Sequence, residues 1–302
     1  MSSPMLGIEL DDARAYAVGV DDEGKVLARA QVEAGGDLAG AAVKALEQVQ
    51  GPMAGAPPAL LGVAAINPES PAIAPVFAQL ALRFGGSVNR SSVVLSGTAA
   101  AAAEAWVGAA RGVKDVVLFA VSQHATGGVV RDGVAITGAR GRAGALAWLS
   151  LNPVEREDYR KTGCLEAEVA AAGIVRRLIW RIKAGDRSRV QDIVNNDLTA
   201  ITAEQVLEAA RQGDGVSISV VRDTAKYLGM AAANLVVVVD PEMLVLGGIM
   251  ASAADLLLEP IRIEISRRLP KPMMDALRIE TAVLGADAAS IGAARLVTAA
   301  LP

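Results

Sequence analysis

The order of strand-forming and helix-forming segments constrains the fold of this chain more than any other feature of its sequence. Three short strand patterns are followed by a helix and by alternating strands and helices, and the same order then starts again. Strand patterns fall at 5–9, 15–20, 26–32, 60–66, 93–95, 116–121, 127–131, 134–137, 243–246 and 277–283. Helical periodicity falls at 38–50, 75–84, 99–108, 165–183, 203–212, 215–237, 256–268 and 288–301.

This doubled order predicts an α/β fold built from a duplicated unit, with two lobes and a cleft between them. The halves share no sequence repeat, so the duplication is one of architecture only. We expect an N-terminal lobe formed by residues 1–108 plus 289–302 and a C-terminal lobe formed by residues 109–288. With 302 residues, 52% hydrophobic and 21% charged, the chain can fill a core in each lobe.

The charge pattern argues against a nucleic-acid partner. The formal net charge is −4, and the one basic group that stands out is Arg176, Arg177, Arg181 and Lys183. Its roughly helical spacing is typical of a solvated helix face and not of a DNA-binding patch. We therefore expect no nucleic-acid binding.

Cysteine content and hydropathy predict a cytoplasmic protein without a membrane segment. Cys164 is the only cysteine, so no disulfide can form within the chain, and this fits a reducing compartment. The first residues lack the basic segment followed by an apolar segment that is typical of a signal peptide, so we expect none. The longest apolar run, 230–239, contains Asn234 and is too short to cross a bilayer.

Four stretches of the chain resemble one family of proteins. They are 100–119 (AAAAEAWVGAARGVKDVVLF), 163–170 (GCLEAEVA), 283–296 (VLGADAASIGAARL) and 202–262, the last containing DPEMLVLGG. These stretches are similar to the ROK family of sugar kinases and repressors. The resemblance implies a two-lobed actin-like ATPase (ribonuclease H-like) fold, a homodimer, and a sugar or other small molecule as a possible ligand.

The first phosphate loop of the family, Asp-x-Gly-Gly-Thr, is altered here. The chain reads Glu9-Leu10-Asp11-Asp12-Ala13, so both glycines have become aspartates. Glycines let bare backbone N–H groups approach a phosphate, whereas two carboxylates repel it by about 1 kcal/mol per charge pair at 4 Å in water. Asp11 and Asp12 could equally form a solvated hairpin turn.

The position of the family's catalytic aspartate falls on Ser96. The aspartate takes a proton from the sugar hydroxyl during attack on the γ-phosphate. A serine hydroxyl does not act as a base near neutral pH unless another group activates it. The simpler interpretation is that Ser96 or Thr98 caps the following helix.

The second phosphate loop and the sugar site are also altered. The loop corresponds to 122–128, where Gln123 and His124 replace small residues and Gly127 and Gly128 remain, as turn geometry alone would require. His124, the only histidine, is expected to be a loop residue, with ligand contact as the alternative. Glu166 matches one sugar-contacting glutamate of the family.

The resemblance places the zinc-binding histidine of the family at Trp148, and its zinc-binding cysteines at Glu157, Tyr159 and Cys164. A structural zinc ion needs four nitrogen or sulfur ligands, and only the cysteine remains, so we expect no zinc. Trp148 and Tyr159 are expected to fill the space with apolar groups.

A glycine pair follows the strand at 243–246. Gly247 and Gly248 stand where the family packs adenosine against the backbone, or where a tight turn needs a positive φ.

These substitutions predict a non-catalytic ROK homologue with a binding or regulatory role and no cofactor. The alternative is an ATP-dependent sugar kinase with diverged motifs, in which Glu9, Asp11 or Asp12 would bind Mg²⁺. We do not expect a DNA-binding repressor, because such proteins carry an N-terminal winged helix-turn-helix and the first strand here begins at Met5.

Overall fold

A computed structural model describes residues 4–53, 60–84 and 93–299. The strands are β1 Met5–Asp11, β2 Arg14–Val20, β3 Val26–Glu33, β4 Leu61–Ala65, β5 Val93–Leu95, β6 Val116–Val121, β7 Ala125–Arg131, β8 Val134–Ala135, β9 Met243–Gly248 and β10 Arg278–Thr281. The helices are α1 Leu38–Gln50, α2 Ile73–Phe84, α3 Ser96–Trp106, α4 Glu157–Thr162, α5 Cys164–Val169, α6 Ala171–Lys183, α7 Arg189–Ile193, α8 Ala203–Arg211, α9 Gly215–Val239, α10 Ile249–Ser252, α11 Ala254–Ser266, α12 Lys271–Ala276 and α13 Ala288–Ala299.

The first sheet has the strand order β3-β2-β1-β4-β5. A two-residue turn joins β1 to β2, which makes the two strands antiparallel, with Met5 opposite Val20 and Asp11 opposite Arg14. The helix α1 lies between β3 and β4 in the chain and returns it so that β4 runs parallel to β1. Alternate β1 residues Leu6, Ile8 and Leu10 are fully buried in the core with residues of α1.

The second sheet has the order β10-β9-β6-β7-β8. β9 and β10 are parallel, with Met243 opposite Arg278 and Leu246 opposite Thr281. β7 and β8 form an antiparallel hairpin. β9 reads as a continuous apolar run and is buried from Met243 to Gly247, as expected for a strand inside an α/β structure.

The chain divides into two compact units. One comprises Met1–Leu118, Gly127–Ala145 and Ala282–Pro302, and the other comprises Phe119–Thr126 and Leu146–Thr281. Within the described residues, no helix is long and apolar enough to cross a membrane.

A buried carboxylate joins three stretches of the first unit. Glu104 on α3 is fully buried. Its Oε2 accepts a hydrogen bond from the backbone N–H of Ala109 (2.7 Å), and its Oε1 accepts from the N–H groups of Val283 and Leu284 (3.0 Å each). One side chain therefore satisfies backbone donors from two loops that are far apart in sequence.

Most predicted elements are confirmed within a few residues, and 38–50, 93–95 and 116–121 match without change. The predicted helix at 165–183 is wrong as a single helix. Ala170 is extended (ψ 169°) and separates α5 from α6, because the Ala171 N–H donates to the carbonyl of Ser122 (2.9 Å). The predicted end of the last helix at Leu301 lies outside the described residues.

Candidate functional site

Ser96 is the first residue of α3, and its side chain is almost completely buried (3% exposed). The prediction that Ser96 or Thr98 caps the helix is wrong. The strand β5 runs directly into α3, so Leu95 takes the cap position and provides no side-chain bond, while the Thr98 hydroxyl donates to the carbonyl of Ala143 (3.3 Å). Among the described residues, no group hydrogen-bonds to Ser96 Oγ.

The first turn of α3 packs directly on the backbone of β7. A Cβ atom added to Gly97 would lie 2.2 Å from the carbonyl oxygen of Gly127, and one added to Gly128 would lie 2.4 Å from the carbonyl oxygen of Gly97. Both residues of the Gly127–Gly128 pair lie inside the strand and neither has a positive φ. Close helix–strand packing, and not turn geometry, therefore requires Gly128 to be glycine.

Asp11 and Asp12 lie at the turn between β1 and β2, so the hairpin turn, one of the two alternatives left open by the sequence, is present. Asp11 Oδ1 accepts a hydrogen bond from the Ala13 N–H (3.2 Å), and Asp12 Oδ1 accepts one from the Ser70 hydroxyl (2.8 Å). Glu9 is largely buried on β1, with Arg14 NH2 4.0 Å from its carboxylate. The turn therefore carries carboxylates, two of which are already hydrogen-bonded within the protein.

In the second unit the structure brings His124 and Glu166 together. His124 lies at the turn between β6 and β7, and Glu166 lies on α5. His124 Nδ1 is 3.3 Å from Glu166 Oε1, with the donor set by the tautomer, and the Ala125 N–H donates to Glu166 Oε2 (2.9 Å). This pairing was not expected from the sequence, because the two residues are 42 positions apart and no local pattern links them.

Gly247 is buried at the end of β9, and Gly248 follows it with φ +63°. A Cβ atom on Gly248 would lie 1.9 Å from the carbonyl oxygen of Val121. The predicted positive φ is confirmed at Gly248, and the close approach of β6 is a second reason for glycine there.

The four positions that the resemblance assigns to zinc have other contacts. Trp148 is 57% exposed, so the expectation that it fills the space with apolar groups is wrong. Glu157 pairs with Lys161 (2.7 Å) on the surface, and Tyr159 is buried with its hydroxyl donating to Glu168 (2.5 Å). Across the described parts of the chain, no group of three or more His, Cys, Asp or Glu residues is placed to hold a metal ion. With Cys164 as the one thiol, this donor set does not fit structural zinc.

A buried ionic cluster lies beside these positions, and we call it the Glu168 cluster. Its members are Glu168, Tyr159, Arg156, Arg176 and Arg177. The expectation of a solvated helix face is wrong for Arg176 and Arg177, whose side chains are only 24% and 13% exposed. Burial, followed by the charge of Arg156, lowers the pKa of Arg176 from its ordinary value.

Comparison with known proteins places the chain in a family. The model of the ROK family matches residues 75–300. A glucokinase from Halalkalibacterium halodurans is 34% identical over 200 residues, which cover 66% of this chain and 60% of that glucokinase. The chain belongs to the ROK family.

Solved ROK structures share the fold over almost the whole chain. A glucokinase from Streptomyces griseus, in complex with glucose and AMPPNP, has a TM-score of 0.80 at 23% identity, covering 97% of this chain and 98% of that one. A ROK transcriptional regulator, a homologue of the Escherichia coli MLC protein, has a TM-score of 0.81 at 22% identity, covering 98% and 78%. The fold is therefore the α/β actin-like ATPase fold of ROK proteins, which kinases and regulators share.

The ROK match covers some candidate positions and leaves others out. Ser96, His124, Glu166 and Gly248 fall inside residues 75–300, whereas the hairpin turn at Asp11 and Asp12 precedes them. The alignment with the H. halodurans glucokinase spans less than two thirds of that enzyme, so activity does not follow from it.

Proposed function

We propose that this ROK protein is non-catalytic and acts by binding a small molecule or a partner. The buried hydroxyl of Ser96 carries the proposal. It stands where the family resemblance places the catalytic aspartate, and none of the described groups hydrogen-bonds to it. A general base must accept a proton near the working pH, and a serine without an activating group does not.

The two loops that would receive phosphate support the same proposal. The hairpin turn carries Asp11 and Asp12 where glycine N–H groups would cradle an anion. In the other loop, the imidazole of His124 lies against Glu166, so this sugar-site carboxylate is already engaged within the protein. As part of the proposal, the protein forms the homodimer implied by the resemblance, needs no cofactor and works in the cytoplasm.

The second candidate is an ATP-dependent sugar kinase, and the resemblance to glucokinases favours it. Glu9, Asp11 and Asp12 carry carboxylate oxygens, which Mg²⁺ prefers, at one end of β1, although the described residues do not place the three together as a metal site. In this case ATP and Mg²⁺ would be required, and another residue would replace the base.

A coupled turnover assay with ATP, Mg²⁺ and a panel of glucose, mannose and N-acetyl hexosamines separates the two candidates. We expect negligible turnover by the unmodified protein, since the loss of a general base alone lowers rates by roughly 10²- to 10⁴-fold. Robust turnover by the unmodified protein would refute the proposal and establish the kinase.

Two variants locate the defect. Ser96→Asp restores the family residue, and Ser96→Ala is its matched control. We expect neither to turn over, because Asp11 and Asp12 still repel the phosphate. Activity in Ser96→Asp alone would show that the loops are competent and that the interpretation of the hairpin turn is wrong.

A thermal-shift screen with ATP, ADP and the same sugars, with and without Mg²⁺, tests ligand binding. A ligand at 100 times its Kd stabilises the folded state by about 2.7 kcal/mol. Stabilisation without turnover is the expected signature of a binding protein, whereas stabilisation by ATP only with Mg²⁺ would favour the kinase.

A further inference from the structure

The helix α5 carries Glu166 but cannot hold its own position. It has six residues, and a helix this short is unstable in isolation. Gly163 with φ +95° precedes it, and the extended residue Ala170 follows it. Its place must therefore be fixed by contacts with the rest of the second unit.

Two arginines of α6 satisfy the carbonyl groups at the end of α5. Arg176 NH2 donates to the carbonyl of Ala167 (2.6 Å), and Arg177 NH2 donates to the carbonyl of Glu168. The last carbonyls of a helix have no partner within the helix, and the helix dipole places negative charge there. The guanidinium groups therefore both cap α5 and neutralise its end.

The carboxylate of Glu168 fixes the same helix from its side chain. It accepts hydrogen bonds from the Tyr159 hydroxyl (2.5 Å), Arg156 NH1 (3.2 Å) and Arg177 NH2 (3.2 Å). The side chain is only 8% exposed. A buried carboxylate is stable only when such partners compensate the lost hydration, so the removal of its charge disrupts the whole group.

The outer side of the cluster is closed by an aromatic ring and a second carboxylate. Asp158 accepts from Arg156 (3.0 Å) and from Arg176 (2.5 Å). Arg156 and Arg176 lie 4.8 Å and 5.1 Å from the centroid of the Trp180 ring. These contacts hold the guanidinium groups in fixed orientations toward α5.

Tyr159 occupies a position that the family resemblance assigns to a zinc-binding cysteine, and here it donates to Glu168. We propose that the Glu168 cluster replaces the structural zinc of ROK relatives. It holds α5 without metal, and thereby sets the Glu166 carboxylate against His124 and Ala125. Glu168 is thus a positioning residue for the Glu166 site, whether or not the protein phosphorylates a sugar.

The only histidine of the chain provides a direct test. The imidazole carbon-bound proton and carbon signals of His124 report its contact with Glu166, at fixed pH and without any ligand. In Glu168→Gln we expect the melting temperature to fall by about 5–10 °C and the His124 signals to shift. With EDTA, neither the melting temperature nor the His124 signals of the unmodified protein should change.

Glu264→Gln is the matched control. Glu264 is also a buried carboxylate of the second unit, bonded to Arg267 (2.6 Å) and Arg268 (2.5 Å). This variant should lose stability as well, but its His124 signals should match those of the unmodified protein. A shift of the His124 signals in both variants would show a general effect of destabilisation and would overturn the positioning role.

A milder variant keeps the test decisive if Glu168→Gln does not fold. Tyr159→Phe removes one hydroxyl and retains every charge of the cluster. We expect a smaller shift of the His124 signals in the same direction. Unchanged His124 signals in a folded Tyr159→Phe protein, a fall in melting temperature with EDTA, or stoichiometric zinc by elemental analysis would each overturn the inference.

Discussion

Replacement of Glu104 by glutamine should destabilise the first unit by removing one defined hydrogen bond. In the unmodified protein the N–H of Ala109 donates to Oε2 of Glu104 at 2.7 Å. In Glu104→Gln, the amide oxygen takes the place of Oε1 and still accepts from Val283 and Leu284, but the amide NH₂ takes the place of Oε2 and faces the N–H of Ala109, which loses its acceptor. A hydrogen bond to a charged group contributes about 1.5–3 kcal/mol, so Glu104→Gln should cost roughly 2–3 kcal/mol. Glu104→Ala loses all three bonds. Its cost should be larger, roughly 4 kcal/mol or more, but not three times the cost of one bond, because losses at one site are not additive.

The measurement is urea unfolding monitored by tryptophan fluorescence, because Trp106 lies in the same helix as Glu104. Glu47→Gln is the control: its exposed carboxylate pairs with Arg83 at 2.7 Å, and such surface pairs contribute about 0–1 kcal/mol. If Glu104→Gln unfolded at the same urea concentration as the unmodified protein, the Ala109 N–H would not depend on the carboxylate and the reasoning would fail.

Three further predictions concern packing and pH. Gly128→Ala should lower the melting temperature by several degrees, because its Cβ would lie 2.4 Å from a backbone oxygen. A Cβ on Gly215 would meet no atom of another described element within 4 Å, so Gly215→Ala should leave the melting temperature unchanged. Calorimetry compares the two variants. Burial on its own would raise the pKa of Asp214. Hydrogen bonds from Ser217, the Arg189 N–H and Ser188 lower it by more than burial raises it, so the pKa of Asp214 lies below its ordinary value. Its contribution to stability should persist above about pH 4 and be lost as the pH falls, and Asp214→Asn should flatten this acid loss in urea titrations. Burial, then the hydrogen bond to Asp287, raises the pKa of Tyr16 to about 12, so stability should decline as the pH rises from about 10 toward 12, and Tyr16→Phe should reduce the decline; an unchanged alkaline profile would contradict this.

The sequence predicted the regular elements well where one local pattern decided them. The helix α1 was predicted at its observed bounds, because its apolar residues recur at helical spacing and face one core. The division of 165–183 at Ala170 could not be predicted, because alanine favours helix and only the bond from Ala171 to Ser122 breaks it. The cap at Ser96 failed for a similar reason: the residue type was right for a cap, but β5 leaves no residue between strand and helix.

The sequence by itself determined which chemical groups the candidate positions carry. Serine at 96, aspartates at 11 and 12, and a single cysteine at 164 settle which bases, charges and metal ligands are present, since composition does not depend on folding. Only the tertiary structure decided what those groups touch. It joins His124 to Glu166 across 42 positions and turns basic residues of a supposed surface helix into partners of the buried Glu168. Such contacts form between elements distant in the chain, and local sequence patterns report only the faces of single elements.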